Sequence, residues 1–141
     1  MRLRITLLLL FLAAAAHAAI APIAYRHRTL ANGLEVYSIE DHTTPTVAIE
    51  VTYHVGSKDD PPHRRGFAHL FEHLMFKSTA HMKAEMMDRL TDDVGGENNA
   101  YTGEDTTIYW EVVPSNYLRT LLWAERERMS SLDAAVSSGG G

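Results

Sequence analysis

Hydrophobic periodicity changes along this chain, and the change limits the folds open to it. Leu34–Glu40 alternates with a period of two: Leu34, Val36 and Ser38 share one face, Glu35, Tyr37 and Ile39 the other. Tyr25–Leu30 reads as the preceding strand, with Asn32-Gly33 as the tight turn between them. Thr46–Val55, rich in β-branched residues, reads as a longer strand. These three strands are expected to pair antiparallel with one another. After a loop, "GSKDDPPHRRG", the period lengthens to 3.6 and predicts a helix over Phe67–Lys77. A second helix is expected over Met82–Val94, with Met86, Leu90 and Val94 four apart and Gly95-Gly96 as its stop. Asn98–Thr102 and Thr106–Val113 form a hairpin around Gly103-Glu104-Asp105. Pro114-Ser115 opens a last helix, with Ser115 as N-cap and Leu118, Leu121, Leu122, Met129 and Leu132 on its apolar side. Strands interleaved with helices and joined by hairpin turns give an α+β domain, a mostly antiparallel sheet with helices packed on it.

The N-terminus has a different character. Met1–Arg4 is basic, Ile5–Ala16 is apolar, and Ala16-His17-Ala18 fits a signal-peptidase site. An apolar run of roughly 12 residues is short of the ~20 that span a bilayer, so residues 1–18 read as a cleaved secretory signal with no stable membrane span left after cleavage. The expected product is exported, to the periplasm or beyond. Residues 19–24 are a leading segment, 25–132 the folded domain, and 133–141, ending in "SSGGG", a flexible Ser/Gly tail. The chain of 141 residues has no cysteine, which excludes disulfides, thiolate ligands and a cysteine nucleophile. A formal net charge of −5 offers no basic footprint for nucleic acid.

The helix "GFAHLFEHLMF" carries the chemistry. Phe67, Leu70, Phe71 and Leu74 fall at i, i+3, i+4, i+7 and form an apolar stripe expected to pack on the sheet. His69, Glu72 and His73 cluster on the other side, and side chains three or four apart on a helix are neighbours. Two imidazoles one turn apart can point at one cation, and zinc accepts imidazole nitrogen at about 2.0–2.1 Å. A zinc ion brings the pKa of its water to about 7, and a carboxylate beside that water can take its proton. Glu72 is placed for that role. A solvated polar face that happens to carry histidines is the competing reading of the same five residues, although the H-x-x-E-H spacing is the inverted form of the zinc-protease helix.

Two longer stretches bear on the choice: "NGLEVYSIEDHTTPTVAIEVTYHVGSKDDPPHRRGFAHLFEHLMFKST" and "VGGENNAYTGEDTTIYWEVVPSNYLRTLLWAERERM". Both resemble the N-terminal domain of the pitrilysin–insulinase family of zinc metallopeptidases, the inverzincins. The NGL turn, the VGS loop, the A-H-x-x-E-H-x-x-F helix, the GG…NAYT hairpin and the W…ER…RM helix stand in family order, over about Tyr25 to Leu132. The resemblance implies half of a metallopeptidase α/β roll. It implies one zinc ion held by His69 and His73, with Glu72 as general base in a zinc-dependent endopeptidase. A peptide or unfolded protein would add as a strand on a sheet edge, touching Asn99 and Ala100, where ordinary turn chemistry is the alternative.

The family's third ligand, a glutamate, is expected beyond the C-terminus of this chain, and so is a second homologous domain or subunit. Weak zinc affinity and little peptidase activity are therefore expected of this piece alone. A non-catalytic peptide- or partner-binding module is the second reading. Glu125 and Glu127 are read as surface ion pairs with Arg126 and Arg128, and Glu97, Glu104 and Asp105 as turn or solvent residues. His27, His42, His54, His63 and His81 are not nominated as ligands.

Overall fold

A computed structural model describes the backbone of residues 21–138 and the side chains of residues 21–131. The expected signal segment, residues 1–18, and the closing glycines lie outside the described residues. The chain divides into two compact units, 1–42 and 43–141.

The first unit contains an antiparallel hairpin of β1 (Arg26–Thr29) and β2 (Glu35–Ser38). Gly33 has φ 87°, a left-handed conformation that glycine adopts without a Cβ clash, and Asn32 Oδ1 accepts from the Leu34 N–H. Tyr37 stacks on His27 across the pair, with ring centroids 4.4 Å apart. β3 (Thr46–Tyr53) does not join this hairpin, contrary to the expected three-stranded pairing. It pairs with β5 (Thr107–Pro114), which also pairs with β4 (Glu97–Thr102), in the order β3-β5-β4. β5 alternates buried and half-buried residues along its eight positions, so a central strand offers β3 a longer apolar partner than the exposed, four-residue β2 does.

The register decides which side chains meet the helices. Tyr53, Val51, Ile49 and Val47 stand opposite Thr107, Tyr109, Glu111 and Val113. Thr102, Ala100 and Asn98 stand opposite the first three of those from the other side. Directly opposed residues share a face, so all eleven lie on one side of the sheet. Thr107, Tyr109, Glu111 and Val113 are buried there.

α1 (Phe67–Leu74), α2 (Met86–Asp92) and α3 (Leu118–Ser138) follow the expected order with shifted ends. α2 begins four residues later than expected because Glu85 sits at φ 64°. Ser115 is not an N-cap: Ser115–Tyr117 forms a turn of 3₁₀-helix after Pro114, with no side-chain cap, and α3 starts at Leu118. α3 extends to Ser138, past the expected start of a tail, across a kink at Ser131 (φ −137°). Met82, Met87 and Ala124 are buried together, with Phe76, Met86 and Leu90 against them.

The buried face of α3 is not its leucine stripe. Leu118, Leu122 and Met129 are exposed, while Leu121, Ala124, Glu125, Glu127 and Arg128 are buried. Glu125 and Glu127 are therefore interior groups, which corrects the expectation of surface pairs. Arg128 Nη2 donates to Glu111 Oε1 at 2.7 Å and to Glu125 Oε1, and Nε donates to Glu125 Oε2 at 3.3 Å. The guanidinium carbon lies 4.4 Å from the centre of the Tyr109 ring, a cation–π contact that further offsets its desolvation. Glu127 takes a bond from the ring of His81 at 2.7 Å, which fixes the loop before α2 to α3 and holds the Glu127 carboxyl below its ordinary range. Burial, and then the neighbouring Glu125, push Glu111 up to about 8, against the pull of Arg128. Within this three-residue cluster Glu111 therefore holds its proton more tightly than a free glutamate does.

α1 lacks a side chain at its N-cap, Gly66 (φ 88°). Asp60, six residues upstream, replaces it: Oδ2 accepts from Gly66 N at 2.6 Å and Oδ1 from Ala68 N at 2.8 Å. These bonds, that to Ala68 foremost, hold the Asp60 carboxyl below its ordinary value of 3.8. The loop is anchored in turn on the β4–β5 turn, with Ser57 N and Lys58 N donating to Gly103 O and Glu104 O. A Cβ on Gly56 would overlap Glu104 O, so only glycine fits there.

Asp60 and Glu111 give the fold opposite responses to pH. The Asp60 contribution is present above the unfolded aspartate pKa and is lost as pH falls through the lower folded value. Asp60→Ala should therefore lower the melting temperature at pH 7, with the difference from wild type shrinking below about pH 4. Glu111 has the opposite sign: its proton favours the folded chain below the ordinary value of 4.5, and that contribution is lost as pH rises toward 8. Unfolding free energies from urea titrations should fall across that window with a slope no steeper than about 1.4 kcal/mol per pH unit, and Glu111→Gln should flatten the slope.

Candidate active site

The site is built on α1, whose first turn is fixed by Asp60 and whose body lies against β4 and β5. The face turned inward is set by Ala68 and Glu72, one turn apart, both 8% exposed. The expected stripe does not hold: Leu70 and Phe71 are 50% and 40% exposed. A small alanine lets the helix approach the sheet, and Glu72 enters because β4 supplies a partner for it. Thr102 Oγ1 donates to Glu72 Oε2. Thr107, directly opposite Thr102, donates from Oγ1 to the Val55 carbonyl at 2.9 Å and lies 3.4 Å from Thr102 Oγ1.

His69 and His73 are exposed on the same helix. Their ring centroids are 4.7 Å apart and their planes are tilted by 40°. Two imidazoles at that separation fit two corners of a tetrahedral zinc shell. Among the described residues, no third histidine, cysteine, aspartate or glutamate joins them in a group able to hold a metal. Glu72 sits between the imidazoles in sequence but is turned toward Thr102, an arrangement suited to a base rather than a ligand. Glu125, an acid on α3, is committed to Arg128.

β4 is an edge strand of its sheet. Gly103 N donates to Thr106 O at 2.8 Å in the turn, and antiparallel pairing alternates from that bond. Thr102, Ala100 and Asn98 therefore direct their backbone groups away from β5, toward the open edge. The Ala100 N–H is met there by Asn99 Oδ1 at 2.8 Å. The Asn98 side chain instead faces the helices and donates to Thr91 Oγ1 at 2.5 Å, tying β4 to α2. Asn99 and Ala100 thus lie on an accessible strand edge, while Asn98 is structural.

Thr102, Thr107 and Asp60 are the site residues that motif reading passes over. The period of two in "NNAYT" places Thr102 on the same face as Asn98 and Ala100, so a signal exists for Thr102. Asp60 has no local cue, because a cap six residues upstream lies outside any capping pattern.

The sequence pattern of the insulinase family (peptidase family M16) matches residues 35–129. A zinc protease of Helicobacter pylori named PqqE is 36% identical over 129 residues, covering 91% of this chain and 29% of that protein. Human insulin-degrading enzyme is 37% identical over 90 residues, covering 62% of this chain and 9% of the enzyme. Among solved structures, a protease from Helicobacter pylori superposes with a TM-score of 0.76 at 35% identity, over 79% of this chain and 27% of that one. Pitrilysin superposes with a TM-score of 0.74 at 22% identity, over 80% of this chain and 12% of its own, a likeness of fold. The chain spans under a third of the length of each of these relatives. With the family pattern running from β2 into α3 through the H-x-x-E-H helix, the chain belongs to the insulinase family of peptidases, family M16.

Proposed function

We propose that the chain is the zinc-bearing part of an exported metalloendopeptidase that cleaves peptides or unfolded proteins. The carrying observation is the division of labour on α1: two exposed imidazoles 4.7 Å apart, and between them a carboxylate drawn back onto β4. The relatives named as zinc proteases support the choice of metal and of reaction.

His69 and His73 would hold the ion, whose chemistry when bound is that of a Lewis acid on the scissile carbonyl. Glu72 accepts the proton of the attacking water. Its Oε2 is occupied by Thr102, and Oε1 has no hydrogen bond among the described residues, so Oε1 is the basic oxygen. Thr102 and Thr107 keep the carboxylate in one orientation. The substrate adds to the open edge of β4, where Ala100 offers its carbonyl, and its N–H once Asn99 Oδ1 gives way; the Asn99 amide then serves the substrate backbone. The remaining ligand is a glutamate from outside the matched segment, the second wall of the cleft comes from a homologous domain or subunit, and residues 1–18 direct export. The incomplete ligand set among the described residues favours one rival, a peptide-binding module without turnover.

Zinc titration of the purified chain separates these roles. His69→Ala and His73→Ala should each weaken zinc binding by roughly tenfold or more. Glu72→Gln should leave zinc binding nearly unchanged while abolishing any peptide turnover that the wild-type chain shows. Loss of zinc binding in Glu72→Gln would make Glu72 a ligand and end its assignment as base. Peptide binding by a chain that takes up no zinc would establish the rival. Thr102→Val should destabilise the fold by about 1–3 kcal/mol by leaving a buried carboxylate oxygen unpaired, and Thr102→Ser should restore most of that in urea denaturation.

A further inference from the structure

The outward face of α3 is neither polar nor mixed in charge. Up to Ser131 it presents Leu118, Arg119, Leu122, Trp123, Arg126 and Met129. The four apolar side chains among them are each more than a third exposed. Single exposed leucines need no explanation, but four large apolar groups on one arc of one helix make a surface. At about 100° per residue the six positions fall within an arc of about 140°. They also repeat. Arg119 and Arg126 are seven apart, and so are Leu122 and Met129. That is the order of a heptad seam, with arginine at a, an apolar residue at d, Leu118 at g and Trp123 at e. Both acids among the described side chains of α3, Glu125 and Glu127, are buried. Glu127 is held by His81, so Arg126 comes no nearer than 3.8 Å to its Oε1 and stays 74% exposed. Among the described residues Arg119 enters no ion pair.

The charges on this seam select its occupant. A second copy of the same face sets arginine against arginine in a parallel pair and arginine against leucine in an antiparallel one. Either way four guanidiniums are left without an acid. A bilayer takes up a helix with an apolar centre and cations on its flanks. Here the arginines hold the centre of the arc, with Leu122 and Met129 on one side and Trp123 on the other. A helix with carboxylates seven residues apart fits, because Arg119 and Arg126 stand about 10.5 Å apart along the axis, two turns of a facing helix. We infer that the outer face of α3 docks an acidic amphipathic helix of another polypeptide. Its glutamates or aspartates repeat at i, i+7 opposite Arg119 and Arg126, and its leucine-type residues pack on Leu122 and Met129. Two heptads are short, so the contact is weak and reversible. The zinc site on α1 plays no part in it.

The test titrates the 141-residue chain, with a chelator present, with a synthetic three-heptad helical peptide. The probe carries glutamate at every a position and leucine at every d position, and the control has lysine in place of each glutamate. Binding is followed by NMR at the Trp123 indole N–H, assigned with Trp123→Phe. The glutamate peptide should shift that signal, and the lysine peptide should bind at least about tenfold more weakly. Added salt should weaken the glutamate peptide several-fold. The double variant Arg119→Glu, Arg126→Glu should reverse the preference between the two peptides, a gain that an unfolded chain cannot show. Absence of binding by either peptide, equal binding of both, or no reversal in a double variant folded by circular dichroism would overturn the inference. Dimerisation of the chain that Leu122→Lys abolishes would also overturn it, in favour of a self-interface. Co-sedimentation with phosphatidylglycerol vesicles in place of peptide binding would do so in favour of a membrane surface.

Discussion

The hydrogen bond from Thr102 to Glu72 is the contact on which the arrangement of this site depends. It joins the helix that carries the imidazoles to the strand that presents an open edge. It also reverses the orientation that amphipathic reasoning gives to α1. A helix with phenylalanines and leucines at i, i+3, i+4 and i+7 ought to bury them. Here it buries an alanine and a glutamate instead, because the sheet beneath it displays Thr102, Thr107, Tyr109 and Glu111. A polar helix face is stable against a polar patch of sheet only when every buried group finds a partner, and Thr102 is that partner for Glu72. The consequence is functional: turning Glu72 inward leaves His69 and His73 on the exposed flank.

The same logic explains α3. Its buried line, Leu121, Ala124, Glu125 and Arg128, carries two charged groups, and Arg128 reaches across to Glu111 on the central strand. Two carboxylates and one guanidinium are costly to keep charged in so dry a place, and burial accordingly raises the proton affinity of Glu111. The Tyr109 ring beneath the guanidinium and the His81–Glu127 bond at the next turn extend this polar seam along the helix. The interior of this unit is thus held by polar pairs as well as by its small methionine and alanine core, although Tyr53 Oη, Glu111 Oε2 and Arg128 Nη1 are buried there without a hydrogen-bond partner.

Such pairing separates what is legible in the sequence from what is not. The α+β class, the five strands, the hairpin of β4 and β5 and the order of the helices all follow from periodicity and turn residues, which are local signals. The spacing of His69, Glu72 and His73 is likewise visible, and the structure keeps the three on one helix as expected. Partnership across the fold is hidden. Nothing local says that β3 pairs with β5 rather than β2, that Asp60 caps a helix six residues away, or that Glu125 and Arg128 point inward. In each polar case the residue resembles surface because its partner lies far off in sequence: 17 positions from Arg128 to Glu111, 30 from Thr102 to Glu72, 46 from His81 to Glu127. Polar burial is a property of pairs, and a pattern read along one chain segment reports only one member of each pair.

The polar interior also bears on how chemistry and stability are divided in α1. On one flank are exposed imidazoles; on the other, Phe67, Phe71 and Met75 line a cavity that Arg128 also lines. Glu72 lies at the boundary, with one oxygen held by Thr102 and its side chain lining that cavity. The packed flank of the helix and its exposed imidazoles therefore meet at this one residue.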